Sequence, residues 1–233
     1  IPQSHFSKLD DFLARGGNIF IAFNRVEGDF QTSTGKAVNT GLEDWLRQKG
    51  LTVSDNFVID ASCSSVNVQQ QQGNFVFSSQ VSFPYLPVIN RFADNPATKG
   101  LESVILQFAS PMTFTGDSTK RFTPVAFTSE KSGTERAPLY FDVQRQWTER
   151  DFPLSGLVVA GVLEGRLAGN SESRIMVVSD GDFAVTGSRR GSQLPQDNIN
   201  LFVNSVDWLS DNTGLIDLRT KEITSRPIKE LAE

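Results

Sequence analysis

Arg174-Ile-Met-Val-Val-Ser179 runs straight into Asp180-Gly-Asp-Phe183, and this stretch decides the fold. Ile175 to Val178 are apolar without alternation, the pattern of a strand buried on both faces of a helix-covered sheet. In open α/β folds ligands bind at the carboxyl ends of such strands, where Asp180 and Asp182 stand. Upstream, Gly156 to Leu163 is a second strongly apolar strand, followed by a turn at Gly169-Asn-Ser-Glu-Ser173. Downstream, Leu201, Phe202, Val206 and Leu209 share one face of a helix predicted over about Asn198 to Ser210. The tail from Leu215 to Pro227 carries Ile216, Leu218 and Ile223 in an extended pattern.

The N-terminal part has the same α/β rhythm. Ser4 to Arg15 reads as a helix, capped by Ser4, with Phe6, Leu9 and Leu13 on one face and Gly16-Gly17 as its stop. Asn18 to Phe23 follows as a buried strand, and Asn24 to Lys36 as a polar loop. A second helix spans about Thr40 to Lys49, with Leu42, Trp45 and Leu46 inward, and Gly50 ends it. Leu51-Thr-Val53 and Phe57-Val-Ile-Asp60 read as short strands. The pattern predicts an α/β fold, an open and mostly parallel sheet flanked by helices.

The middle of the chain departs from that rhythm. Val66, Val68, Phe75 and Phe77 alternate with polar residues across Ala61 to Gln80, which predicts an antiparallel hairpin or a sheet-edge excursion. Phe83-Pro-Tyr-Leu-Pro87 is an extended segment, Asp94-Asn-Pro96 a turn, and Ser103 to Ala109 a further strand. Residues 111–150 read as an irregular, mobile insertion with turns at Gly116-Asp-Ser-Thr119 and Lys131-Ser-Gly-Thr134. Within it Thr123 to Thr128 and Leu139 to Val143 have strand character.

Composition removes several function classes. The 233 residues carry 22 Lys+Arg against 27 Asp+Glu, a formal net charge of −5, with no basic cluster beyond Arg189-Arg190. That is no footprint for nucleic acid. One cysteine, Cys63, excludes an internal disulfide, and one histidine, His5, excludes a site needing two histidines. No apolar run is long enough for a membrane helix. The chain begins Ile1-Pro2 and is read as a piece of a longer protein, one α/β domain over 1–233.

Five residues are candidates for binding. Asp180 and Asp182 either offer oxygen ligands to a hard cation or form a tight turn that caps a short helix at Phe183 to Val185. Asn200 and Asn204 lie four apart on one helix face and reach either a ligand or a backbone carbonyl, with Asp197 or Asn198 as the N-cap. Trp147 offers a stacking surface in the irregular stretch. Gly187-Ser-Arg-Arg-Gly-Ser192 is either an anion-holding loop or a solvated one. Cys63 lacks the glycine-rich elbow of a nucleophile. No P-loop or Rossmann glycine pattern occurs, and no cofactor is implied.

The strand and acidic turn at 174–183, the helix Asn198-Ile-Asn-Leu-Phe-Val-Asn-Ser-Val-Asp-Trp-Leu209, and Leu215 to Pro227 with Arg219 and Arg226 together resemble one family. It is the gliding-motility-type, GldG-like auxiliary proteins of ABC transport systems. Leu9 to Phe23, and Phe83 through Ser103, resemble it too. The similarity touches most of the chain outside about 111–150.

The resemblance implies a glutamine-amidotransferase-like or flavodoxin-like α/β domain without amidotransferase chemistry, since no cysteine elbow with a downstream histidine is present. It implies a non-catalytic domain on the extracytoplasmic, periplasmic side of the membrane, anchored by segments outside this chain. It would act by partner or substrate binding, with an ABC permease and ATPase as partners. Two alternatives are a saccharide- or peptide-binding module using Asp180, Asp182 and Trp147, and a metal-dependent hydrolase built on Asp180 and Asp182.

Overall fold

The computed structural model describes residues 1–72, 75–185 and 195–211. The tail from 215 to 227 and the arginine loop at 187–192 lie outside them. Helix α1 (Gln3–Ala14) buries Phe6 and Leu13. Pro2 holds its N-cap position, and no side chain caps it, so Ser4 falls inside the helix. Strand β1 is Ile19–Ala22. The expected polar loop after it contains two strands, β2 (Val26–Asp29) and β3 (Thr34–Ala37), paired antiparallel. Helix α2 (Leu42–Gln48) buries Trp45 and Leu46. Its start is fixed by the Glu43 carboxylate, which accepts from the Thr40 and Gly41 N–H groups.

Strands β4 (Leu51–Val53) and β5 (Asn56–Asp60) follow. The long hairpin β6 (Cys63–Gln72) and β7 (Phe75–Ile89) is antiparallel, as the alternation predicts. Short strands β8 (Arg91–Phe92) and β9 (Val104–Ile105) come next, the second much shorter than the strand expected there. The stretch 111–150 carries β10 (Met112–Phe114), β11 (Lys120–Phe127), β12 (Ser132–Arg136) and β13 (Leu139–Tyr140). The chain then enters β14 (Val158–Gly165), β15 (Ser173–Val178) and helix α3 (Gln196–Ser210).

The main sheet has the order β1-β15-β14-β11-β8. Only β1 and β15 run parallel, with Ile19 opposite Ile175 and Ala22 opposite Val178. The other pairs are antiparallel. The sheet is therefore open and mixed, which corrects the expectation of a mostly parallel one. The reason lies in the connection: residues 166–172 join β14 to β15, enough for a hairpin and too few for a crossover helix.

Both faces of this sheet are covered, which is why β15 is apolar without alternation from Ile175 to Val178. Ile175 and Val177 pack with Leu13, Trp45 and Leu46 from α1 and α2. Met176 and Val178 face the other way, into a cluster with Leu201 and Leu209 of α3. Helix α3 buries Leu201, Ser205 and Leu209, whereas Phe202 and Val206 of the expected inward face stay exposed. A third core, rich in aromatic rings, lies among the small sheets and holds Phe57, Phe83, Tyr85, Phe108 and Phe141.

Candidate functional site at the turn after the central strand

The turn at the carboxyl end of β15 is built from four distant segments. Ser179 is fully buried, and its hydroxyl donates to the Val159 carbonyl and accepts from the Ser110 N–H. Asp180 is fully buried as well. One carboxylate oxygen accepts the Gln107 N–H, and the other accepts the Asp182 N–H at 2.8 Å. Burial pushes the Asp180 carboxyl up to about 7 against the opposing pull of these backbone donors, and the Asp182 charge adds to the rise.

Asp182 is exposed, and its Oδ2 accepts from Asn24 Nδ2 at 2.9 Å. The other end of the same Asn24 amide accepts the Gly181 N–H at 2.6 Å. Asn24 thus closes the turn from the end of β1. The two carboxylates therefore differ in role. Asp180 spends both oxygens on the protein's own backbone, and Asp182 alone faces solvent. Such a pair cannot present two carboxylates to one cation. Among the described residues no group of three or more His, Cys, Asp or Glu side chains is placed to hold a metal ion.

Helix α3 docks on this turn through its first residues. Asn198 is fully buried; its Nδ2 donates to the Ile105 and Phe183 carbonyls, and its Oδ1 accepts the Ile105 N–H. Asp197 accepts the N–H groups of Glu102 and Ser103, which together with Asn200 hold its carboxyl below the ordinary carboxylate range despite partial burial. Asn200 donates to Asp197 at 3.1 Å and accepts from Gln196. Asn204 donates to the Lys99 carbonyl at 3.3 Å. Both asparagines bond within the protein, on the segment between β8 and β9 or on their own helix.

Trp147 lies elsewhere, at the rim of the aromatic core. Its half-buried ring meets Tyr85 and Phe152 at centroid separations of 5.7 Å, and the Arg145 guanidinium sits 3.9 Å above it. Asp180 and Trp147 thus belong to two different constellations. Cys63 is half-buried, and burial raises its thiol pKa, so it is a weak nucleophile. His5 is exposed on α1.

Two features carry no local sequence signal. Asp60 is fully buried and accepts from the Ser62 N–H, the Ser129 N–H and the Ser129 hydroxyl, joining β5 to the loop after β11. The β2–β3 hairpin itself lines an open cleft of about 420 Å³, at Glu27, Asp29, Phe30, Thr34 and Lys36.

Comparison with known proteins places these elements. The family described as "ABC-type uncharacterized transport system" matches residues 1–210, which takes in both helix-covered faces and the turn at 179–183. An uncharacterized protein of Borreliella burgdorferi strain B31 is 19% identical over 239 residues, covering 97% of this chain and 46% of the relative. The chain thus spans about half the length of that relative. With a match across 1–210, the chain belongs to the ABC-type uncharacterized transport system family of auxiliary proteins.

Proposed function

We propose that this chain is a non-catalytic, extracytoplasmic binding component of its ABC-type transport system, held at the membrane by segments of its parent protein. The family match over residues 1–210 carries this reading. The chemistry of the turn supports it. Asp180, Asn198, Asn200 and Asn204 direct their hydrogen bonds into the protein, and Asn198 fixes the start of α3 against β9 and the turn after β15. The carboxyl edge is thereby a rigid platform for recognition, with Asp182 as its exposed charge. The GldG-like resemblance makes gliding motility the physiological setting of the proposal, and a permease and ATPase its partners. It also carries the finer fold reading, an amidotransferase-like or flavodoxin-like core, which the parallel pair β1–β15 between two helix-covered faces supports and from which the antiparallel strands β14, β11 and β8 depart.

The test is purification of the parent protein in mild detergent, with mass spectrometry of what accompanies it. Recovery of an ABC ATPase and a permease in fixed ratio supports the proposal. Recovery of the protein alone, with its membrane segments intact, overturns it.

A second reading, a saccharide- or peptide-binding module, rests on the cleft at β2–β3. There the Phe30 ring is 37% exposed beside Glu27, Asp29 and Lys36, an apolar face among polar groups. Saturable thermal stabilisation by a neutral oligosaccharide, lost in Phe30→Ala, favours that reading.

A further inference from the structure

The hairpin β6–β7 is a two-stranded ribbon over most of its length. Strand β6 pairs with β7 alone, and β9 reaches β7 only at Val88 and Ile89. Among the described residues, β6 is therefore an edge strand along its whole length. The register is unbroken from Ser65 opposite Ser82 to Gln72 opposite Phe75, with the one irregularity at its base, between Cys63 and Ser65.

Edge strands of stable proteins carry charges, prolines or bulges that keep other strands away. This edge has none of them beyond its base. Residues 61–90 contain no Asp, Glu, Lys or Arg, although these make up 21% of the chain. The prolines in that span, Pro84 and Pro87, lie at the body end of β7. On the exposed face Ser65, Asn67 and Gln69 stand beside their partners Ser82, Gln80 and Ser78. Each of these hydroxyl and amide side chains both donates and accepts, so each can bond to a copy of itself.

We infer that a second copy of this chain pairs with β6, edge to edge and antiparallel about a two-fold axis, to give a continuous sheet β7-β6-β6′-β7′. The occupant follows from the edge's self-complementarity. A chain of net charge −5 meets no like-charge opposition at this surface, and a two-fold axis near Asn67 sets amide against amide. The pairing is independent of the transport reading, because it needs only the ribbon.

Sedimentation equilibrium over a concentration series tests it. The wild-type chain is expected to reach a dimer. Asn67→Lys with Gln69→Lys places like charges across the axis and is expected to shift the protein to monomer at the same concentrations, with circular dichroism unchanged and the thermal midpoint equal to that of the wild-type protein diluted to monomer. Asn67→Glu with Gln69→Glu behaves likewise alone, and mixing the lysine and glutamate proteins restores a dimer of one of each. That rescue separates edge pairing from a folding defect. A wild-type monomer up to the solubility limit overturns the inference. So does a dimer that both charged variants retain, or open-ended assembly in place of a closed dimer.

Discussion

Asn198 and Phe183 are joined by a hydrogen bond of 2.6 Å from the asparagine amide to the phenylalanine carbonyl. Through it the first turn of α3 holds the chain as it leaves the acidic turn. The same buried amide also takes both backbone groups of Ile105. Asn198 thus joins three segments, the turn after β15, β9 and α3, and no water reaches it.

Asn198→Ala leaves two carbonyls and one N–H buried without partners. The expected loss is about 3 kcal/mol of folding stability, read as a lower urea midpoint with unchanged slope. Asn198→Asp is expected to do worse, since two carbonyl oxygens would face a carboxylate. A loss within about 0.5 kcal/mol for the alanine variant, the range of ordinary surface changes, would show that α3 is held by its apolar face alone.

Asp180 gives the fold a pH dependence. Its folded-state pKa, raised to about 7 by burial, lies above the unfolded value, so the folded protein keeps a proton the unfolded chain releases. This contribution is fully present below the ordinary carboxylate range and is lost as pH rises through about 7. The upper limit is on the order of 4 kcal/mol. Asp180→Asn removes the titration but sets an amide N–H against the Gln107 or Asp182 N–H, costing about 1–3 kcal/mol at mildly acid pH. Chemical denaturation at several pH values reads both effects. The gap between wild type and Asp180→Asn should narrow as pH rises, and a constant gap would refute the buried titration.

The elements that were legible in the sequence are those whose signal is local. The unbroken apolar run Ile175–Val178 marks β15, and the helical spacing of Phe6, Leu9 and Leu13 marks α1. The β2–β3 hairpin was not legible, because Val26-Glu-Gly-Asp29 and Thr34-Gly-Lys-Ala37 combine glycine and charge, both poor in strands. It exists because rings from elsewhere pack on those glycines. Strand direction was equally hidden, since a buried strand has the same pattern in either orientation. The acidic turn could be read, but its partners could not. Asn24 lies 158 positions from Asp182, and Gln107 lies 73 from Asp180. Such contacts leave no trace in periodicity or spacing.

Gly28 and Gly35 face each other across the β2–β3 hairpin, where they form a bed for aromatic rings. A Cβ on Gly35 would lie 2.6 Å from Cζ of Phe57, and one on Gly28 would strike the Phe108 ring. Both rings are buried and hemmed in by other aromatics, so neither can swing aside cheaply. Gly35→Ala is expected to cost about 1–3 kcal/mol by overpacking. Phe57→Leu in the same background should restore part of it, measured as a coupling energy in a double-mutant cycle. Additive losses would mean that the hairpin moves away instead.

Tyr85 is 2% exposed, and its hydroxyl donates to the Glu135 carboxylate. Arg145 forks between Glu135 and Asp151 at 2.6 Å to each, lying over the Trp147 ring. Burial raises the phenol pKa, and the bond to the Glu135 charge raises it further, because ionising the hydroxyl would set two anions together. The chain has two tyrosines, so Tyr140→Phe leaves Tyr85 alone to report. Its phenolate absorbance should be absent through the usual tyrosine range near about 10 in the folded protein and appear there in denaturant. The raised value means that this stabilisation is complete below that range and is lost as the pH climbs beyond it. Arg145→Lys, a point charge that cannot fork to both acids, should cost only about 1 kcal/mol, since the arginine is partly solvated. Phenolate forming near about 10 in the native protein would mean that the Tyr85–Glu135 bond does not hold in solution.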